Sequence, residues 1–308
     1  MRFSRKAITV AAVLWIAALA AGIGFWLRPV NYFDALTDLK QRFAGVESAS
    51  VTVNGIRVHY EMEGPATGPA VVLVHGLGSR AEDWANLAPY FARAGYRVYL
   101  PDLPGYGRSE RPAGFSYSIP DEADVVVGFL DAVGLKQVDL GGWSMGGWIV
   151  QIVATHHPER VKRLMLFDSA GLYVKPTWDT NLFLYDTPAQ LAELSALLMP
   201  NPPRIPGFVA RDILRTAKAH RWVMERALHS MMTGKDVTDS QLPQLKMPVL
   251  LLWGDLDHIT PLSEGQKMHS LIPQSDLQVF NGCGHLAPEQ CSGAMAPVAV
   301  EFLQRSQN

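Results

Sequence analysis

Hydrophobic and polar positions follow three different patterns along this chain. Residues 7–27 form an unbroken apolar run in which Thr9 is the only clearly polar side chain. As a single helix rising 1.5 Å per residue, such a run reaches across a hydrocarbon core of about 30 Å. Residues 31–43 then place Tyr32, Phe33, Leu36, Leu39 and Phe43 at helical spacing, with Asp34, Asp38, Lys40 and Gln41 elsewhere. That stripe either lies in a membrane interface or packs on the following domain, the commoner fate of such a face. From about residue 50 short strands dominate. Residues 51–53 and 56–60 flank Asn54-Gly55 and predict a hairpin. Apolar strands follow at 70–74, 96–100, 137–140, 163–167, 248–253 and 277–280, separated by helical stretches such as 80–94, 121–133 and 146–157. A hairpin followed by repeated strand–helix units predicts a mostly parallel sheet with helices on both faces.

One stretch breaks the alternation. Between about 167 and 248 the chain reads as helices and Pro-rich turns, with a capping box from Thr187 to Gln190 opening a helix and Pro200, Pro202, Pro203 and Pro206 after it. A second helix runs over about 208–232, and Met199, Met224, Met231 and Met232 all fall in the insert. These methionines fit a lid over a pliable acyl pocket, and equally core filler in a plain helical excursion. The chain thus divides into a membrane anchor or signal peptide at 1–27, a juxtamembrane segment at 28–49, a first core part at 50–171, a helical lid at 172–244 and a second core part at 245–308.

Charge refines the N-terminal reading. Arg2, Arg5 and Lys6 precede the apolar run, and Arg28, then Lys40 and Arg42, follow it. The balance favours a single-pass anchor with the N-terminus in the cytoplasm and the catalytic domain outside it. The alternative is secretion after cleavage near Ala18-Leu19-Ala20. The whole chain is 48% hydrophobic and 18% charged with a net charge of −2, which excludes disorder and leaves no basic patch for nucleic acid. The two cysteines, Cys283 and Cys291, read as buried free thiols, with pairing open if the domain lies outside the cytoplasm.

The chemistry concentrates at the strand ends. Gly142-Trp143-Ser144-Met145-Gly146 stands between a strand and a helix, where a sharp turn holds a serine above the sheet and aims a helix N-terminus at a developing oxyanion. A serine hydroxyl needs a base. His285, in the Gly-rich loop Asn281-Gly-Cys-Gly-His285 after the last strand, is the candidate, and Asp257 in Trp253-Gly-Asp-Leu-Asp257 is the acid that orients it. Asp168, past the preceding strand, is an alternative acid, and His258 a weaker alternative base. The Leu77 N–H in His75-Gly76-Leu77-Gly78 and the Met145 N–H are the candidate oxyanion donors, with His75 bracing its loop. Nothing calls for a metal or a cofactor.

From about residue 50 to 305 these motifs, together with Asp102-Leu-Pro-Gly105-Tyr-Gly107-Arg-Ser109, occur in the order of the α/β-hydrolase superfamily, which the chain resembles. Within it the chain is similar to monoacylglycerol-lipase-like hydrolases with an N-terminal anchor and to bacterial lipases, through the anchor, Asp168-Ser-Ala-Gly171-Leu172 and the Thr187-Pro188 helix. The resemblance implies an α/β-hydrolase fold and a serine esterase or lipase that cleaves lipid esters such as monoacylglycerols with Ser144, Asp257 and His285. C–C bond hydrolysis of ring-cleavage products uses the same triad and is the alternative; a membrane-tethered binding protein without catalysis is a more distant one. Trp143 and Trp148 stand as bulky residues around the elbow and are expected to reshape the acyl pocket.

Overall fold

The computed structural model describes residues 5–305, with side chains from residue 13 onward. An eight-stranded sheet in the order β1-β2-β4-β3-β5-β6-β7-β8 forms the centre. Strands β1 (Glu47–Val53) and β2 (Ile56–Glu63) are the predicted hairpin. Asn54 and Gly55 both take positive φ at its turn, as a two-residue loop of the twist-matched type requires. Strand β2 also runs antiparallel to β4 (Arg97–Pro101), while β3 (Ala70–Val74), β5 (Val138–Trp143), β6 (Val161–Phe167), β7 (Val249–Gly254) and β8 (Ser275–Phe280) continue in parallel. The parallel strands β5 and β7 are buried at every position, which is why they read as continuous apolar runs rather than alternating ones.

Helices α4 (Ile119–Ala132) and α5 (Met145–His156) pack against each other on one face of the sheet. Ser118 caps α4 by accepting from the Asp121 N–H. On the other face lie α3 (Ala88–Arg93) and α10 (Ser292–Gln304). The single helix expected over 80–94 is instead a short 3-10 turn at Ala81–Trp84 followed by α3. Pro89 sits in the first turn of α3. Its missing N–H and the restriction it places on the preceding residue favour a new start there over continuation. The insert between β6 and β7 contains α6 (Pro188–Leu198) and α7 (Gly207–Met232). Thr187 and Gln190 form the predicted reciprocal cap at the start of α6.

The N-terminal segment departs furthest from expectation. Helix α1 (Arg5–Leu27) meets α2 (Pro29–Phe43) at a bend of 105°. Among the described residues no single helix is long and apolar enough to cross a membrane, although Val13–Leu27 and Pro29–Phe43 pass together as a bent pair. Residues 1–4 of the expected anchor lie outside the described residues. The bend has a local cause: Pro29 begins α2, and Arg28 before it leaves helical conformation at φ −138°. The elbow is fixed to α7. Arg28 pairs with Asp212 at 3.1 Å, the Val30 N–H donates to the same carboxylate, Arg215 donates to the Leu27 carbonyl, and Trp26 stacks on Phe208.

Helix α2 docks by its polar face. Asp34 pairs with Arg80, Asp38 with Arg108, and the Gln41 amide donates to Glu61. Tyr32, Phe33, Leu36, Leu39 and Phe43 are left 41–84% exposed. The stripe therefore does not pack on the domain, the commoner of the two fates open to it.

Glu61 carries a pH dependence. Its burial, reinforced by the charge of Glu82, pushes its carboxyl up to about 8. An acid whose pKa is higher folded than unfolded contributes stability below about pH 4.5 and loses it as pH rises through 8. Glu61→Gln is therefore expected to raise the melting temperature at pH 9, by about 2–4 °C for each kcal/mol removed, and to flatten the decline between pH 5 and 9. Thermal melts of the two proteins across that range check it.

Candidate active site

Ser144 occupies the turn between β5 and α5 at φ 56°, ψ −119°, a conformation that costs free energy outside glycine and is held by its surroundings. Its N–H donates to the Phe167 carbonyl, and its own carbonyl accepts from the Trp148 and Ala170 N–H groups. The small flanking residues are a steric requirement. A Cβ on Gly146 would run into the Val74 and His75 carbonyls, and one on Gly142 into the Gly146 carbonyl.

The loop after β8 carries His285 back over the sheet. The His285 Nε2 lies 2.8 Å from the Ser144 hydroxyl, and its Nδ1 lies 2.7 Å from Asp257 Oδ2. All three are buried, Ser144 remaining 8% exposed. The loop after β7 orders Asp257: Oδ1 accepts from the Ile259 and Thr260 N–H groups, and Oδ2 from the Thr260 hydroxyl. With Asp257 Oδ2 on the Nδ1 side, the ring's Nε2 is the acceptor for the serine proton. The three side chains predicted from the sequence thus meet in one hydrogen-bonded chain.

The alternatives separate cleanly. His258 is exposed and makes no hydrogen bond to Ser144, Asp257 or His285 among the described residues. His75 is buried and fully used: its Nε2 accepts from the Leu103 N–H, so its Nδ1–H donates to the Gly76 carbonyl. Burial also lowers its pKa, so it is a neutral brace. His59 is likewise held, between Ser48 and Asp102. Asp168, wholly buried, accepts from the Gly254 N–H through Oδ1, while its Oδ2 has no hydrogen-bond partner. Burial and the neighbouring charge of Asp257 raise its pKa well above the usual range.

The candidate oxyanion donors flank the serine. Met145 is the first residue of α5, where an N–H has no intrahelical acceptor. The Leu77 N–H makes no hydrogen bond among the described residues, and a Cβ on the adjoining Gly76 would touch Ser144 Cβ at 3.2 Å.

Four features go beyond the sequence reading. Thr260 bridges the site, its hydroxyl lying 2.8 Å from Asp257 Oδ2 and 3.3 Å from His285 Nδ1; its place three residues past the acid was the available signal. The Trp143 indole N–H donates to the His285 carbonyl, tying the nucleophile turn to the base loop. Trp148 likewise donates, to the Asp236 carbonyl. Cys283 and Cys291, expected as free thiols, form a disulfide bracketing His285, with Cα atoms 6.2 Å apart. Burial and pairing are compatible here, since the loop returns on itself between β8 and α9 (Ala287–Gln290).

A cavity of about 1440 Å³ lies between the Leu77–Gly78 loop, helices α6 and α7, and the start of α2; it meets the site at Leu77, while Ser144 and His285 do not line it. Leu191, Leu194, Leu198 and Met224 give it an apolar wall. Of the methionines in the insert, Met224 faces this space, whereas Met231 packs against the core and Met232 is exposed.

Residues 69–227 and 233–290 match the alpha/beta hydrolase fold family, and the chain belongs to it. Among its relatives is a 2-hydroxy-6-oxononadienedioate/2-hydroxy-6-oxononatrienedioate hydrolase of Burkholderia vietnamiensis, 31% identical over 81% of this chain and 92% of the relative. Lipase 3 of a Moraxella species is 26% identical over 83% of this chain and 84% of the lipase. In shape the chain is similar to the crystal structure of a membrane phospholipase A described as a bacterial virulence factor, with a TM-score of 0.83 at 27% identity, over 97% of this chain and 98% of that one.

Proposed function

We propose that this chain hydrolyses carboxylic esters of lipids at a membrane surface. Ser144 attacks the acyl carbon as His285 Nε2 takes its proton, and the Leu77 and Met145 N–H groups receive the oxyanion. His285 returns the proton to the departing alcohol, then activates the water that releases the acid from Ser144, while Asp257 stabilises the imidazolium throughout. The observation that carries the lipid part is the inverted docking of α2, which spends its carboxylates on the domain and turns five large apolar side chains outward beside the cavity. An apolar face of this kind fits the lipid interface. The 105° elbow lets α1 dip into the bilayer while α2 lies along its surface. The likeness to a membrane phospholipase A over nearly the whole chain supports the same reading.

A second reading is hydrolysis of ring-cleavage products by the same triad. The sequence relatives favour it over the first, since several at 29–32% identity carry such names. Those matches leave about a fifth of this chain uncovered, whereas the phospholipase likeness leaves almost none. Turnover by the full chain in mixed micelles separates the two. A monoacyl lipid ester is expected to show a kcat/KM at least about 100-fold above that of a 2-hydroxy-6-oxo-dienoate, a difference of about 2.7 kcal/mol in transition-state stabilisation. The reverse ranking would transfer the function to the second reading.

A further inference from the structure

We infer that Arg111 seats an anionic group of the substrate, a phosphate or a carboxylate, while the acyl chain runs along the apolar wall toward Ser144. This deepens the proposed ester hydrolysis and rests on it. The cavity that meets the site at Leu77 is lined by six permanent cations, Arg80, Arg111, Arg211, Arg215, Lys218 and Arg221, against the two carboxylates Asp34 and Asp186, on a chain whose net charge is −2. Such a concentration of one sign inside a concave wall attracts the opposite charge.

Most of these cations are already answered or solvated. Arg80 pairs with Asp34 and Glu82, Arg215 with Asp212, and Arg221 with Glu225, while Arg211 and Lys218 are exposed. Arg111 differs. It is only partly exposed and forms no ion pair among the described residues. Its guanidinium donates to the Gly107 carbonyl at 2.8 Å and more distantly to the Ser109 carbonyl, and its buried Nε has no partner. The nearby carboxylate of Asp102 cannot serve it, being occupied by His59 and by the Ala81 and Arg108 N–H groups. Burial pulls the Arg111 pKa below its ordinary value, and the field of Asp102 offsets this only in part, as expected for a charge taken from water without a paired carboxylate. The field of Arg111 also reaches α7, where, after burial, it lowers the pKa of His220. The loop bracing accounts for two of its five donors; a planar, forked cation with donors to spare is suited to a phosphate or carboxylate.

The test uses the full chain with Ser144→Ala, so that binding is read without turnover. Calorimetry with octyl phosphate, nonanoate and the neutral 1-O-octylglycerol measures the three affinities. One of the two anions is expected to bind more tightly than the neutral ether, and Arg111→Met in the same background is expected to weaken it about 10- to 100-fold while moving the ether less than about 3-fold. Arg111→Lys, which keeps the charge without the fork, is expected to fall between, and thermal melts show which variants are folded. A phosphate preference assigns a phospholipid headgroup; a carboxylate preference assigns a free acid. Equal binding of anions and ether, or equal weakening of both by Arg111→Met, would overturn the inference. If the unmutated chain hydrolyses no lipid ester while the Arg111-dependent anion binding persists, the proposed function fails and the anion site stands.

Discussion

Replacing Ser144 with alanine is expected to cut ester turnover by about 10⁶-fold and to abolish labelling by a fluorophosphonate probe. The hydroxyl is the group His285 Nε2 touches at 2.8 Å, and no other hydroxyl is in contact with that nitrogen among the described residues. What survives should be the small acceleration due to binding and the oxyanion donors. The change removes one oxygen from a buried turn whose backbone bonds to Phe167, Trp148 and Ala170 are untouched. The variant should therefore stay folded, and steady-state rates with a p-nitrophenyl ester read the loss directly. Undiminished turnover would end the catalytic account.

The paired carboxyls give the second large effect. Asp257→Asn is expected to lower kcat by about 10⁴-fold, because an amide in that place supports the wrong imidazole tautomer and leaves the imidazolium without a counter-charge. Asp168→Asn, at the other member of the pair, is expected to cost less than about 10-fold. Its carboxyl is pushed towards the neutral form by burial and by Asp257, and an amide oxygen can still accept from the Gly254 N–H as Oδ1 does. Comparing kcat for the two variants decides which acid serves the histidine; a larger loss at position 168 would reverse the assignment.

Much of this was legible before any coordinates. The Ser144 turn announces itself because its glycines are demanded by backbone contacts from Val74, His75 and Gly146, and steric demands of that kind write themselves into residue type. The parallel strands were visible because burial on both faces leaves an apolar run. The docking of α2 was not, since an amphipathic period gives the angle between two faces and not which of them meets the protein. Only Arg80, Arg108 and Glu61, distant in sequence, decide that its polar side turns inward. The tether made by Trp143 was hidden for a related reason. Bulk next to a nucleophile argues for a pocket wall, but an indole N–H 2.8 Å from the His285 carbonyl is a long-range pairing with no local signature. Arg111 stood in plain view and carried no signal, because what distinguishes it is the ion pair it lacks among the described residues.

The bond between Cys283 and Cys291 makes the readiness of the base a matter of geography. In a compartment that keeps thiols reduced, the short segment presenting the imidazole would depend on the Trp143 tether and on packing alone; where oxidants prevail it is closed covalently at both ends.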